Sequence, residues 1–266
     1  MVNSLSVRSE APYVSIITPC YNSLRFIGET IASVQNQSYE NWEMIIVDDA
    51  STDHSVATIK EVIKEDSRIR LLLLEENIGA AEARNIAIQE AKGRYIAFLD
   101  SDDMWLPNKL EKQLLFMKET ETAFSYTSYS LIDENGNCLG KEVNVPKSVN
   151  YYDLVGNTII GCLTVMIDRE KIPYIEMPSI QPEDTALWLQ LLNKGYEANG
   201  IQQVLAQYRI VTNSVSRNKL KAAFRYWKLL RTQKPLNLVQ TCFYFSKYAY
   251  HAYRKNKIHV MEKTPL

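Results

Sequence analysis

The sequence of 266 residues contains only four cysteines, three histidines and nine glycines. The cysteines lie far apart and form no C-x-x-C pair, which favours reduced thiols in a cytosolic protein over a disulfide scaffold. The histidines, His54, His251 and His259, form no H-E-x-x-H motif and no cluster with cysteine. We therefore expect solvated or packed imidazoles rather than zinc ligands.

Long apolar runs are also missing. No stretch approaches about 20 apolar residues, so the sequence predicts no membrane-spanning helix. The opening residues, MVNSLSVRSEAPY, lack a basic region followed by an apolar core, and we expect no signal peptide. The hydrophobic fraction of 46% and the charged fraction of 23% are ordinary for a soluble globular protein. These features predict a cytoplasmic protein with one large α/β domain and a small appendage.

Charge is distributed unevenly along the chain, although the formal net charge is only −1. Residues 217–266 contain twelve Lys and Arg but a single acid, Glu262, whereas residues 1–216 contain 18 basic and 30 acidic side chains. An acidic body with a basic tail is informative about partners rather than about the fold.

Apolar runs and helical patterns alternate through the first hundred residues. The segments between the runs carry apolar residues at helical spacing, and Gly93 lies where the third of these helices would need a C-cap. Such an alternation predicts a mostly parallel sheet with helices on both faces. The four predicted strands are YVSIIT (13–18), WEMIIVDD (42–49), IRLLLLE (69–75) and RYIAFLD (94–100).

Polar residues follow three of these strands. The segment TPCYN (18–22) follows the first strand, Asp48 and Asp49 end the second, and the segment DSDD (100–103) ends the fourth. Ligands of open α/β sheets bind in the crevice beyond the carboxyl ends of the strands. We therefore expect the three groups to line one crevice.

Several common α/β chemistries are excluded by missing motifs. The turn after the first strand contains no G-x-G-x-x-G, and the chain has no P-loop motif and no G-x-S-x-G elbow. Oxygen-ligand metal chemistry at DSDD remains, because Mg²⁺ and Mn²⁺ typically bind one or two carboxylates together with substrate phosphates. A cation there would neutralise a diphosphate and make it a good leaving group.

Five segments in succession, VSIITPCYN, IIVDDASTD, NIGAAEARNIAI, GRYIAFLDSDD and PEDTALWLQLL, resemble the sequence blocks of family 2 glycosyltransferases with the GT-A fold. The resemblance covers about residues 12–212. It implies a nucleotide-diphospho-sugar donor, usually UDP-linked, a divalent metal (Mn²⁺ or Mg²⁺), and inversion at the anomeric carbon. It also implies a GT-A domain at 12–216, with a nucleotide-binding half at about 12–106 and an acceptor half at about 107–216, followed by a basic, aromatic-rich helical tail at 217–266.

The resemblance assigns roles at the nucleotide end of the site. Thr18 and Asp49 are expected to contact the base, with Asp49 accepting from a uracil N–H. Pro19 and Tyr21 are expected to wall the base pocket, unless they only shape the turn. Asp48 is expected to support its own loop.

Two arginines are candidates for the same region. Arg84 matches a position of the family that lies near the nucleotide. The alternative role for Arg84 is a surface ion pair with Glu82 or Glu90. Arg209 is expected to reach the diphosphate as a second cation beside the metal.

Within DSDD, the resemblance makes Asp102 the ribose or metal contact, with Asp103 or Asp100 as a second group around the metal and the diphosphate. Trp105 is expected either to floor the sugar pocket or to pack under the loop. The division of roles among the three carboxylates stays open.

The catalytic base is expected much later in the chain. Inverting transfer needs one carboxylate to take a proton from the acceptor hydroxyl. The resemblance makes Asp184 that base and makes Glu183 a neighbouring residue that binds the acceptor. Alternatively, both residues only cap the helix. The helix dipole is expected to lower the pKa of Asp184 and keep it ionised.

The tail alternates basic and aromatic residues between 218 and 256. Its first part predicts a helix with Leu220, Phe224, Trp227 and Leu230 on one face. This composition is typical of helices at an anionic membrane surface and of helices that pack on a domain, and both alternatives stay open. We expect no nucleic-acid partner.

The sequence thus predicts a metal-dependent, inverting glycosyltransferase, cytoplasmic or peripheral on the inner face of the cell membrane. It would move a sugar to a hydroxyl of a saccharide or lipid-linked saccharide in cell-surface polysaccharide synthesis. A sugar-phosphate nucleotidyltransferase is the alternative enzyme, but it would normally carry a Gly-rich loop where this chain has TPCYNS. A non-catalytic nucleotide-sugar-binding domain would not need a base such as Asp184.

Overall fold

The computed structural model describes residues 13–211, 219–233 and 235–260. The predicted boundary between domain and tail, at residues 216 and 217, lies outside the described residues. Within them, ten strands form one mixed sheet in which the parallel ladders are the longer ones, and helices cover it. The α/β class predicted from the sequence is confirmed.

The strands and helices alternate as the apolar pattern predicts. The strands are β1 (Val14–Cys20), β2 (Trp42–Asp48), β3 (Ile69–Leu73), β4 (Tyr95–Phe98), β5 (Met104–Trp105), β6 (Phe124–Ile132), β7 (Cys138–Val143), β8 (Ser148–Val149), β9 (Met166–Asp168) and β10 (Ala198–Arg209). The α-helices are α1 (Ile27–Gln35), α2 (Ser55–Val62), α3 (Ala80–Glu90), α4 (Lys109–Glu119), α5 (Tyr151–Gly156), α6 (Glu183–Asn193), α7 (Lys219–Thr232) and α8 (Leu238–Val260).

The first four strands form the parallel half of the sheet. The strand order is β3-β2-β1-β4-β9-β6-β10-β5, with β7 beside β6 and β8 beside β10. In the parallel register Cys20 lies opposite Asp48, and Ile17 lies opposite Phe98. The carboxyl ends of β1, β2 and β4 therefore meet at one edge, as predicted for the crevice.

Each face of the sheet packs on its own apolar cluster because side chains alternate along a strand. On β1, Ile16 belongs to one cluster and the neighbouring Ile17 to the other. The buried indole of Trp188 on α6 lies 5.5 Å from the ring of Phe98 and 5.2 Å from the ring of Phe124. This packing holds α6 against the sheet and thereby positions its first residues.

Gly93 has a different role from the predicted helix C-cap. Helix α3 ends at Glu90, and Ala91 is its C-cap residue. A methyl group at Gly93 would lie 2.6 Å from the backbone nitrogen of Ser15, which is much closer than van der Waals contact. The amide of Gly93 also donates to the Ser15 hydroxyl at 2.8 Å. The close approach of the two backbones, and not a helix end, requires glycine here.

The tail is helical, as predicted, and part of it packs on the domain. The ring of Tyr226 on α7 stacks on that of Tyr248 on α8 at 3.9 Å, and its hydroxyl donates to the carbonyl of Val155 at 2.9 Å. Leu230 is buried, whereas Phe224 on the same predicted face is exposed. None of the described helices combines the length and the apolarity that crossing a bilayer would need.

We expect Gly93→Ala to lower the free energy of unfolding by about 1–3 kcal/mol, because the added methyl group forces the backbones of β1 and the segment before β4 apart. Urea unfolding of the purified protein measures this. Gly28→Ala is the matched control, because a methyl group there meets no atom within 4 Å and Gly28 lies in a helix. An unfolding midpoint for Gly93→Ala equal to that of the control would contradict the close-approach explanation.

Candidate active site

An ion pair stands at the centre of the edge where β1, β2 and β4 end. The guanidinium of Arg84, on α3, donates to the carboxylate of Asp100 at 2.5 Å. Burial acts to lower the pKa of Arg84, but the charge of Asp100 and the more distant charge of Asp184 raise it above its ordinary range. Three residues that are far apart in sequence therefore share one electrostatic environment.

Arg84 does not form a surface ion pair with Glu82 or Glu90, which was the alternative to a place near the nucleotide. Its side chain is only 10% exposed and points to Asp100. Glu82 instead accepts from the amide of Asn85, and Glu90 pairs with Arg70. The position of Arg84 agrees with its predicted place in the site, and its Nε has no hydrogen-bond partner.

The three carboxylates of DSDD have different surroundings. Asp100 is 30% exposed and bound to Arg84. Asp102 is partly exposed, and burial followed by the charge of Asp100 raises its pKa to about 6. Asp103 is buried, and its Oδ1 accepts the backbone N–H of Arg209 at 2.9 Å while its Oδ2 has no partner. Burial and the charges of its two neighbours raise the pKa of Asp103 well above its usual range.

These surroundings fit a cation that protein and ligand would share. In the described residues, no three His, Cys, Asp or Glu side chains are arranged as a complete metal cage. Asp100 and Asp102 nevertheless present two partly exposed carboxylates whose like charges oppose each other. Divalent Mg²⁺ and Mn²⁺ commonly bind one or two carboxylates and complete their shell with phosphate oxygens and water. Asp103, predicted as a further metal contact, is turned toward β10 instead.

Asp184 lies in the first turn of α6, partly exposed. Its Oδ1 accepts the backbone N–H of Thr185 at 2.6 Å. Burial raises the pKa of Asp184 to about 6, with the charges of Asp100 and Glu183 adding to the rise and the charge of Arg84 opposing it. The predicted lowering of this pKa by the helix dipole is wrong, because desolvation is the larger effect. A carboxyl group with this pKa is mainly ionised at neutral pH.

Asp49 holds the loop that leads to Arg84. Its two carboxylate oxygens accept the backbone N–H groups of Ile78 and Gly79 at 2.8 and 2.9 Å, directly before α3. Each oxygen keeps a second lone pair for a ligand donor. Asp48 accepts from the amide and the hydroxyl of Ser51, which confirms its predicted role in supporting the loop.

Two residues predicted to touch the base are enclosed in β1 and do not lie in the loop after it. Thr18 is fully buried and its hydroxyl has no hydrogen-bond partner, and Pro19 is also buried. The predicted loop position of Thr18 is wrong, because β1 continues to Cys20. Tyr21, the next residue, is 50% exposed at the rim of the crevice and remains available to a ligand.

Arg209 is not positioned to reach a diphosphate. Its guanidinium is completely buried, pairs with Glu29 at 2.5 Å, and donates to the carbonyl of Asp102 at 2.8 Å. It also donates to the carbonyls of Asp133 and Glu134. Arg209 therefore ties α1, the DSDD loop and the turn after β6 together.

Trp105 packs under the loop and does not floor a pocket. Its indole is 3% exposed and donates to the carbonyl of Leu163 at 2.8 Å. The ammonium of Lys109 lies 3.8 Å from the centre of one of its rings. These contacts show that Trp105 packs under the loop. The prediction that Trp105 contacts the diphosphate or the acceptor is therefore wrong.

Two neighbours of the site were not predicted. Burial, then the charges of Asp103 and Asp184, raise the pKa of Tyr129 on β6 to about 12. Burial and the charge of Asp100 raise the pKa of the Cys162 thiol well above its usual range, which makes this thiol unreactive. No sequence motif marks either residue: Tyr129 is carried by β6 and Cys162 by a short 3₁₀ turn before β9.

The chain is similar in sequence to known glycosyltransferases. Residues 15–159 match the family model of Glycosyl transferase family 2. The chain is 51% identical over 245 residues to TuaG of Bacillus subtilis (strain 168), whose name assigns it to teichuronic acid biosynthesis, covering 92% of this chain and 97% of that protein. It is 42% identical over 218 residues to WfgD of Escherichia coli, named UDP-Glc:alpha-D-GlcNAc-diphosphoundecaprenol beta-1,3-glucosyltransferase, covering 82% and 85%.

Solved structures share the fold. TarS 1-349 of S. aureus in complex with UDP-GlcNAc matches with a TM-score of 0.65 and 17% identity, over 89% of this chain and 71% of that chain. The mannosyltransferase PcManGT of Pyrobaculum calidifontis, in complex with GDP-Man and Mn²⁺, matches with a TM-score of 0.66 and 18% identity, over 84% and 64%. At these identities the likeness shows a GT-A-like fold.

We expect Arg209→Met to lower the free energy of unfolding by about 3 kcal/mol, because it leaves buried carbonyl groups without a donor. Arg25→Met is the matched control. Arg25 also pairs with a glutamate and lies over the ring of Phe26, as Arg209 does, but its side chain is 60% exposed. That change should cost less than about 1 kcal/mol. Equal losses in urea unfolding would show that Arg209 does not tie the loops together.

Proposed function

Because the chain belongs to glycosyl transferase family 2 and is a glycosyltransferase, we propose that it moves a sugar from a UDP-linked donor to a hydroxyl of a lipid-linked saccharide, with inversion at the anomeric carbon. The observation that carries this proposal is the convergence of the Arg84–Asp100 pair with Asp184 at one edge of the sheet. The first two residues provide a place for a leaving diphosphate, and the third provides a base.

The substrate class is supported by the relatives. The name of WfgD specifies a UDP-linked sugar as donor and a saccharide on diphosphoundecaprenol as acceptor. The name of TuaG refers to teichuronic acid biosynthesis. We assign this chain the same classes of donor and acceptor, in cell-surface polysaccharide synthesis.

At the donor end, Asp49 accepts from the uracil N–H and Tyr21 walls the base. Asp49 keeps free lone pairs there, and Tyr21 is half exposed. Asp102 and Asp100 hold a divalent cation, Mn²⁺ or Mg²⁺. When bound, the cation supplies positive charge to the diphosphate as it leaves. The guanidinium of Arg84 supports the same charge from the side of α3.

At the acceptor end, Asp184 takes the proton of the attacking hydroxyl. The acceptor oxygen then forms a bond to the anomeric carbon, and the bond from that carbon to the diphosphate oxygen breaks with its electron pair leaving on UDP. A base works best when its pKa is near the working pH, and a value of about 6 satisfies this while leaving the carboxylate ionised. Glu183, the neighbouring carboxylate, orients the acceptor.

The proposed location is the cytoplasmic side of the membrane. All four cysteines are free, and Cys138 and Cys242 are exposed, which suits a reducing compartment. The domain proposed at residues 12–216 carries the donor and acceptor sites, and the basic helices after it bring the domain to the membrane where a lipid-linked acceptor resides.

We expect Asp184→Asn to lower the rate of UDP release in the presence of acceptor by about 10²–10⁴-fold, because the amide accepts no proton. In the wild type, kcat/KM should rise with pH through about 6, since only the unprotonated carboxylate of Asp184 is a base. The variant should lose this limb of the profile. Glu119→Asn at an exposed position of α4 controls for the loss of a carboxylate. Wild-type activity in Asp184→Asn would refute the assignment.

We expect EDTA to abolish transfer and added Mn²⁺ or Mg²⁺ to restore it. Asp102→Asn should weaken Mn²⁺-dependent binding of UDP by at least about tenfold, because one carboxylate charge on the cation is removed. Asp184→Asn serves as the comparison, since it should bind Mn²⁺ and UDP as the wild type does. Calorimetry measures both. Transfer that is undiminished by EDTA would remove the metal from the mechanism.

A further inference from the structure

Helix α8 has one face that is occupied by packing. Its buried Thr241 and the rings of Phe245 and Tyr248 lie on this face. Phe245 packs edge-on against Trp227 of α7 at 5.2 Å, and Tyr248 stacks on Tyr226 at 3.9 Å. The opposite face of α8 is turned away from the domain.

That outward face carries apolar side chains, although contact with water favours polar ones. Val239, Phe243 and Tyr250 follow one another at helical spacing and lie opposite the packed face. They are 78%, 62% and 57% exposed. A helix on the surface of a soluble domain normally turns its polar residues outward. The outward stripe of α8 therefore exposes an unusual amount of apolar surface, although the ring of Tyr250 also lies 5.7 Å from that of His251.

Helix α7 repeats this arrangement and adds positive charge. Tyr226, Leu229 and Leu230 are buried against the domain. On the opposite side, Leu220 is 85% and Phe224 is 69% exposed. The same side continues at helical spacing with two exposed cations, Lys228 and Arg231.

The positive charge of α7 and α8 indicates which kind of partner they bind. Residues 219–260 contain no Asp or Glu. A symmetric contact between two copies of the chain would place these basic helices against each other, which costs free energy. An anionic lipid surface instead attracts each Lys and Arg and takes up the apolar side chains at the level of its headgroups.

We infer that the outward faces of α7 and α8 form a docking face for an anionic lipid bilayer. The docking face consists of Leu220, Phe224, Lys228, Arg231, Val239, Phe243 and Tyr250. The helices lie in the plane of the interface, with the apolar residues inserted and the cations at the headgroups. This inference rests on the proposed function, since a lipid-linked acceptor places the reaction at a bilayer.

The docking face is connected to the active site through α5. Tyr244 of α8 stacks on Tyr152 of α5 with ring centres 6.1 Å apart. Helix α5 in turn contacts α6, whose first turn carries Asp184. Packed helices lie 8–10 Å apart, so α6 lies roughly 20 Å from α8 along this path.

The test is sedimentation of the full-length chain with vesicles of phosphatidylglycerol and phosphatidylcholine in equal parts, and with vesicles of phosphatidylcholine alone. We expect binding to the anionic vesicles that weakens with salt. Phe243→Ser with Tyr250→Ser, and separately Lys228→Glu with Arg231→Glu, should each lower the partition coefficient by about tenfold or more. Leu115→Ser with Tyr174→Ser removes comparable exposed apolar side chains elsewhere and should change nothing.

Calorimetric binding of UDP with Mn²⁺ separates this inference from the function on which it rests. All docking-face variants should bind UDP as the wild type does, which also shows that they are folded. Vesicle binding without any UDP binding would overturn the proposed function alone. Vesicle binding that the docking-face variants leave unchanged, equal binding to neutral vesicles, or self-association that the variants abolish would each overturn the docking face.

Discussion

The site depends on crowded like charges at one poorly solvated edge of the sheet. Asp100, Asp102, Asp103 and Asp184 come together there, and burial raises the pKa of each of the last three. The Arg84 guanidinium, bound to Asp100, opposes part of this negative charge. An arrangement that is costly for the protein alone would become favourable if a bound cation were shared between these carboxylates and a phosphate group. Crowding of this kind is a mark of a functional site.

The fold separates the two halves of the reaction. In the proposed function, the nucleotide and the diphosphate lie at the carboxyl ends of β1, β2 and β4, whereas the base is carried by α6, which Trp188 packs against the sheet. Arg209 and Asp49 then fix the loops between these parts through hydrogen bonds to backbone groups. Arg209 therefore only shapes the site, whereas Asp49 holds its loop and, in the proposed function, also contacts the base.

The four strands could be predicted from the sequence because near-continuous apolar runs leave little choice of structure. Asp100 and Asp184 could be placed at the site because each lies at the start or end of a predictable element. The position of Arg209 could not be predicted, since its burial depends on contacts such as the one with Glu29, 180 residues before it. For Trp105 the sequence offered the observed packing as one of two alternatives but could not choose between them. The pKa of Asp184 was misjudged for the same reason: the helix dipole is visible in the sequence, whereas desolvation is a tertiary effect.

The central claim is that Asp184 activates an acceptor for direct displacement of a UDP leaving group. The anomeric configuration of the product tests this most directly. Proton NMR of the disaccharide linkage formed from an α-linked UDP-sugar should show the coupling constant of a β-linked product, because a single displacement inverts the carbon. An α-linked product would contradict the account, since retention cannot arise from one attack assisted by one base.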